Sequence, residues 1–147
     1  MMCSDNNERD CSCLSELLKR ILMLQKQDFD NECHTGCDKP YLGPTCTSIC
    51  YNTRPVMLYT CCGNGIPWSM PTEKEDVTCG DEGVTCSNVF RIEKVDGCCA
   101  TFRVLAPNTD TTTNGISPYV ATNSFFTMNL NCVCSLRCLN DTHVDCV

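Results

Sequence analysis

The chain has no Cys-x-x-Cys anywhere, although cysteine fills 17 of its 147 positions. That gap removes both the zinc-knuckle spacing and the dithiol spacing of thioredoxin-like enzymes. There are only two histidines, His34 and His143, far apart in sequence. A nucleophilic cysteine therefore has no base obviously placed to activate it. Lysine and arginine number 11 against 18 acids, giving a net charge of -7. With no basic cluster interleaved with aromatics, nucleic acid is not an expected partner. No apolar run approaches the ~18 residues that mark a membrane span. Gly63-Asn64-Gly65 is a turn and no more, so there is no phosphate loop or dinucleotide fingerprint. The opening residues, Met1-Met2-Cys3-Ser4-Asp5-Asn6-Asn7-Glu8, have no basic stretch leading into an apolar one. The expectation is a protein made inside a cell and oxidised later.

What is abundant is sulfur. Cysteine makes up about 12% of the chain, above the roughly 8–10% that marks a disulfide scaffold. Yet the length suits one domain with a core large enough to fold without covalent staples. The count is odd, so pairing within the chain cannot use every thiol.

Residues 1–13 are polar, carry Cys3, Cys11 and Cys13, and are expected to form a flexible arm. Residues 14–147 are expected to form a single domain. Leu14, Leu17, Leu18, Ile21 and Leu22 follow the spacing of an amphipathic helix over about 14–28, with Ser12 or Ser15 as its cap. A β-rich part covers about 40–140, where Gly, Pro, Asn and Thr punctuate short apolar runs, and a short C-terminal tail follows. Val56–Thr60 is a strand candidate, residues 71–87 look like an acidic loop, and Asp96-Gly97 joins two strands as a hairpin. Phe126, Met128, Leu130, Cys132, Cys134, Leu136 and Cys138 alternate with mostly polar residues, with Val133 the exception. Period two puts that set on one sheet face; a bend or second strand near Cys134 is the other reading. The expected fold is mainly β: a β-sandwich or jelly-roll-like domain with one N-terminal amphipathic helix.

The cysteines then divide by position. Cys3, Cys11, Cys13 and Cys146 lie near the ends, where a mobile segment reaches a neighbouring chain, and are the candidates for intermolecular disulfides. Cys132, Cys134 and Cys138 share the expected core-facing stripe. With Cys98 and Cys99 they are candidates for bonds within the domain or for buried thiols. A weak metal alternative is Cys33, His34, Cys37, Cys46 and Cys50, which combine thiolate and imidazole without the usual spacing. No cofactor is expected, and no catalytic residues stand out.

Three blocks of sequence resemble a known family. The first is Cys33-x-Thr35-Gly36-Cys37 with Pro40-Tyr41-Leu42-Gly43 and Asn52–Thr60. The second is Val89–Asp96 with Cys98–Leu105. The third is Asn129–Leu139. In that order, over roughly residues 11 to 140, they resemble the CotY/CotZ/ExsY proteins of the spore coat (crust) and exosporium. The resemblance implies a structural protein, not an enzyme. It would be made in the mother cell and assemble with itself, in a hexameric lattice, and with other coat or exosporium proteins at the spore surface. Disulfides would then lock the two-dimensional sheet. The rival readings are a subunit of a spore-surface fibre, and a structural zinc- or thiol-handling protein.

Overall fold

The computed structural model describes residues 10–26, 51–112 and 117–147. Among these, one helix precedes seven strands, and the fold is mainly β. Helix α1 is Ser12–Lys26. The strands are β1 (Val56–Thr60), β2 (Met70–Pro71), β3 (Cys86–Ser87), β4 (Phe90–Asp96), β5 (Cys99–Pro107), β6 (Tyr119–Asn129) and β7 (Val133–Cys138). Five of them form one antiparallel sheet in the order β6-β5-β4-β1-β7, and β2 pairs with β3 as a separate ribbon. This is the expected mainly β fold with one N-terminal helix; no second large sheet occurs among the described residues, which do not show the sandwich or jelly-roll detail.

The connection between the last two strands sets the shape. β6 and β7 lie on opposite edges of the sheet, yet only a 3-10 turn, Leu130–Cys132, joins them. In a flat sheet four strand spacings would separate those edges by about 19 Å. The chain from Asn129 to Val133 spans at most about 14 Å. The sheet must therefore curl into a partly closed barrel, bringing its edges together at the end where the turn lies. Two backbone bonds fasten this corner: Leu130 N–H to the Cys98 carbonyl at 2.8 Å, and Cys61 N–H to the Cys132 carbonyl at 3.1 Å. The Asn129 side chain accepts from the Asn131 N–H and caps the turn.

The concave face holds the core. Val56, Leu58, Phe90, Ile92, Phe102 and Val104 are fully buried there. Phe126 meets Phe90 edge-on with centroids 4.7 Å apart and stacks on Phe102 at 5.3 Å, both favourable ring geometries. Helix α1 lies against this core through Leu18 and Ile21, with Leu14 and Leu22 packed partly against it. Leu17, expected on the same stripe, is 39% exposed. The helix cap also differs from expectation. The Asp10 carboxylate accepts from the Ser12 N–H at 2.9 Å, which holds its pKa below the usual range. Ser15 is buried instead, and its hydroxyl donates 2.7 Å to the Gly97 carbonyl in the β4–β5 turn. At the other end of the helix the Gln25 amide donates to the Ile92 carbonyl and accepts from the Arg54 N–H. The helix thus runs the length of the barrel and is pinned at both ends.

The hairpin at Asp96-Gly97 forms as expected, with Gly97 at φ 57 where the tight turn needs a positive angle. The acidic stretch 71–87 is more ordered than its composition implies. It opens with β2, closes with β3, carries the Cys79–Cys86 disulfide, and is tied to β6 by the Ser124 hydroxyl donating to the Pro71 carbonyl.

On the convex face, Arg91 of β4 lies directly opposite Arg103 of β5. Two like charges facing each other are destabilising unless something separates them. Glu93 does so: its Oε1 accepts from Arg91 NH1 at 2.9 Å and from Arg103 Nε at 3.0 Å. Arg103 also sits 4.5 Å over the Phe125 ring. With the Arg91 side chain only 9% exposed, this ladder is largely withdrawn from water. Glu93→Ala leaves two facing guanidinium groups without their shared anion and is expected to cost about 3 kcal/mol, a loss that denaturant unfolding measures. Glu93→Gln, which keeps an acceptor, should cost less.

Candidate functional site: thiols at the two ends of the barrel

Three disulfides link described residues. Cys11–Cys98 ties the start of the helix to the β4–β5 turn, Cys61–Cys134 ties the end of β1 to β7, and Cys79–Cys86 closes the acidic hairpin. The first two close sequence separations of 87 and 73 residues. In the chain-entropy account each stabilises the fold by about 4–5 kcal/mol. Cys62 is disulfide-bonded as well. Five cysteines are free and exposed: Cys13, Cys99, Cys132, Cys138 and Cys146.

Their placement follows from local geometry. Cys98 is the second residue of the tight turn, so its sulfur reaches the helix start; Cys99 re-enters the strand and faces out. β1 runs Tyr59 opposite Ser135 and Thr60 opposite Val133, so Cys134 is the extra residue of a bulge. A bulge reverses the side-chain alternation beyond it. Val133 goes into the core, and Cys132 on the turn and Cys134 on the bulge face solvent. Beyond the bulge Leu136 and Cys138 return to the core side opposite Leu58 and Val56, where Leu136 packs and Cys138, the last residue of the strand, is exposed. This corrects the expected core-facing stripe. Phe126, Met128, Leu130 and Leu136 keep to it, but the 3-10 turn and the bulge take Cys132 and Cys134 off it. The bend near Cys134 is the reading that describes the chain.

Of the residues expected to cross between chains, Cys11 is corrected: it is 8% exposed and bonded to Cys98, because the helix begins at Ser12 and carries it onto the barrel. Cys13 is exposed in the first turn of that docked helix and not on a free arm. Cys3 and the weak metal set Cys33, His34, Cys37, Cys46 and Cys50 lie outside the described residues. Among the described residues no His, Cys, Asp and Glu side chains gather in a group able to hold a metal ion.

One end of the barrel therefore collects eight cysteines: Cys11, Cys13, Cys61, Cys62, Cys98, Cys99, Cys132 and Cys134. Cys138 and Cys146 occupy the other end. Cys138 pairs with Val56 at the start of β1, whereas Cys61 follows its last residue, about 16 Å away along the strand. At this second end the C-terminal segment is held tightly. Thr53 and Thr142 bond through both backbone groups, Asn52 clamps Val144 through its side chain, and Val144 is buried. The Arg91 guanidinium donates to the Thr53 hydroxyl and the Asn52 carbonyl, which joins this latch to the charge ladder. Cys146 is thus exposed on an anchored segment.

The Arg54 guanidinium makes two bonds to the Asp141 carboxylate, at 2.7 and 2.9 Å. This holds the Asp141 carboxyl below its ordinary pKa and raises that of Arg54. Burial pushes the neighbouring Cys138 thiol up; Arg54 works against that shift and Asp141 adds to it. A thiol with a raised pKa holds less thiolate at neutral pH and reacts more slowly. Cys138 is therefore expected to be alkylated more slowly in the folded protein near neutral pH than in the same protein unfolded in denaturant, as timed labelling with peptide mass mapping would show. Asp141, with its folded pKa depressed, contributes stability above its unfolded pKa that is lost as pH falls through the folded value. Asp141→Asn should flatten that acid limb in pH-dependent melts. The cost at neutral pH should stay under about 1 kcal/mol, because the pair is over a third exposed.

No curated protein and no solved structure matches the chain significantly. A family model does: that of spore coat protein Z, over residues 1–141. The expected resemblance over residues 11 to 140 falls within that span. This cysteine-rich, mainly β chain, whose described free thiols face outward, is thus a member of the spore coat protein Z family.

Proposed function

We propose that the protein is a structural subunit of the spore surface, in the crust or the exosporium basal layer, that assembles with itself into a two-dimensional lattice and is then cross-linked by disulfides. The observation that carries this reading is the outward placement of all five free described cysteines on a chain of the coat family. Thiols destined only for internal bonds gain nothing from exposure. Thiols at two opposite ends give one subunit at least two neighbours, and repeated bonds add avidity that no single weak contact needs to supply. Non-covalent contacts between barrels set the geometry, with a hexameric arrangement the expected repeat, and oxidation fixes it. Other coat or exosporium proteins are the further partners. The acidic charge keeps free subunits apart until they assemble.

The two-ended placement also favours a second reading, a fibre in which one end bonds the next subunit's opposite end. Closed symmetry combined with a second contact makes a sheet, and an unclosed head-to-tail contact makes a filament. Electron microscopy of purified protein with and without reductant tests both. The lattice reading expects ordered sheets that survive reductant while the covalent ladder on a denaturing gel disappears. Filaments would favour the second reading, and loss of order together with the ladder would overturn assembly before cross-linking.

A further inference from the structure

At the crowded end of the barrel, each described interior disulfide has a spare thiol beside it. Cys13 lies two residues from Cys11, Cys99 is next to Cys98, and Cys132 lies two residues from Cys134. The third case is the best defined. Cys132 and Cys134 are both exposed and flank the buried Val133, and the Cys132 carbonyl accepts the Cys61 N–H at 3.1 Å. A free thiol, a disulfide and the bonded partner of that disulfide are thus held on one rigid corner. Cys134 is the bulged residue, so no ladder hydrogen bonds have to break when its sulfur changes partner.

We propose that this corner cross-links two copies of the chain by thiol–disulfide exchange, exchanging an internal bond for an external one without net oxidation. The idea rests on the coat reading and names the contact and chemistry within it. The Cys132 thiol of one copy loses its proton to water, and the thiolate attacks the Cys134 sulfur of a second copy. A Cys132–Cys134 bond forms between chains, the Cys61–Cys134 bond of the second copy breaks, and Cys61 leaves as a thiolate that takes up a proton. One disulfide is exchanged for one disulfide and one thiol for one thiol, so no oxidant is consumed. The same patch on both copies supplies attacker and target. A two-fold contact therefore allows the reciprocal bond as well, as an isologous interface requires. Packing in an assembly supplies the local concentration that turns the exchange toward neighbours. The freed Cys61 stays fastened to the corner by its backbone bond to Cys132.

The test uses the full chain with its internal disulfides formed, held without oxygen and with a chelator, and allowed to assemble. Covalent dimers should appear on a non-reducing gel while the total free-thiol titre stays constant. Mass mapping should find the peptide that contains Cys132 and Cys134 joined to a second copy of itself. Cys132→Ser should lower the dimer yield roughly tenfold or more, because the attacking sulfur is gone. Wild-type protein whose exposed thiols are alkylated after folding should behave like Cys132→Ser, which separates lost chemistry from a disturbed fold. Dimers that form only with oxidant, with two thiols lost per bond, would overturn the proposal, as would an unchanged yield from Cys132→Ser. Micrographs of the same samples keep the two ideas apart. Ordered arrays without the self-joined peptide sink the exchange alone, and absence of arrays under every condition sinks the coat reading.

Discussion

The three-residue turn between β6 and β7 constrains everything else in this molecule. It joins strands from opposite edges of a five-stranded sheet, so the sheet has to curl, and the curl creates the concave pocket that the phenylalanines and helix α1 fill. The same closure draws the end of β1, the β4–β5 turn and the helix start around one corner. Those segments carry six cysteines, and the turn with the start of β7 adds Cys132 and Cys134. Their clustering is therefore a consequence of topology, not of any local cysteine motif. The bonds Cys11–Cys98 and Cys61–Cys134 each stitch a remote segment to that corner. They hold closed what the turn brings together.

The opposite end relies on polar chemistry. Here the C-terminal segment adds a bridge at Thr53 and Thr142, a two-ended clamp at Asn52, and the Arg54–Asp141 pair. Arg91 joins this latch to the Glu93–Arg103 ladder across the convex face. The barrel is thus closed by disulfides at one end and latched by polar bonds at the other. Ion pairs near the surface contribute little individually. The withdrawn ladder matters because losing Glu93 would leave two cations stranded.

Much of this was legible in the residues. The 3.6-residue spacing of Leu14, Leu18, Ile21 and Leu22 marks the helix, and Gly97 marks the hairpin, because both signals are local. The fate of Cys132, Cys134 and Cys138 was not. Alternation runs unbroken through them in sequence, but the 3-10 turn and the bulge, which depend on pairing with a distant strand, turn Cys132 and Cys134 outward, and Cys138 is exposed because β7 ends there. Asn129 and Asn131 flank Leu130 and hint at the turn, since a side-chain amide readily caps a freed N–H. The strands β2 and β3 are two residues each, too short for any period to appear. Arg91, Glu93 and Arg103 were visible as charges alternating within apolar strands. Their meaning appears only once β4 and β5 are set in register.

The same topology explains why exposed and bonded cysteines are interleaved. A chain that folds before it is oxidised must place its internal pairs within bonding distance using packing alone, and Cys11 and Cys98 meet at 5.7 Å between Cα atoms because the helix is already docked. Cysteines beside those pairs are then held at the surface on the same rigid frame. Among the described residues, folding thus fixes the direction of each remaining thiol. In the proposed covalent lattice, geometry would come from the barrel, and the disulfides would record contacts that packing has chosen. A chain with the same cysteines on flexible segments would cross-link at random, because nothing would limit which sulfur meets which.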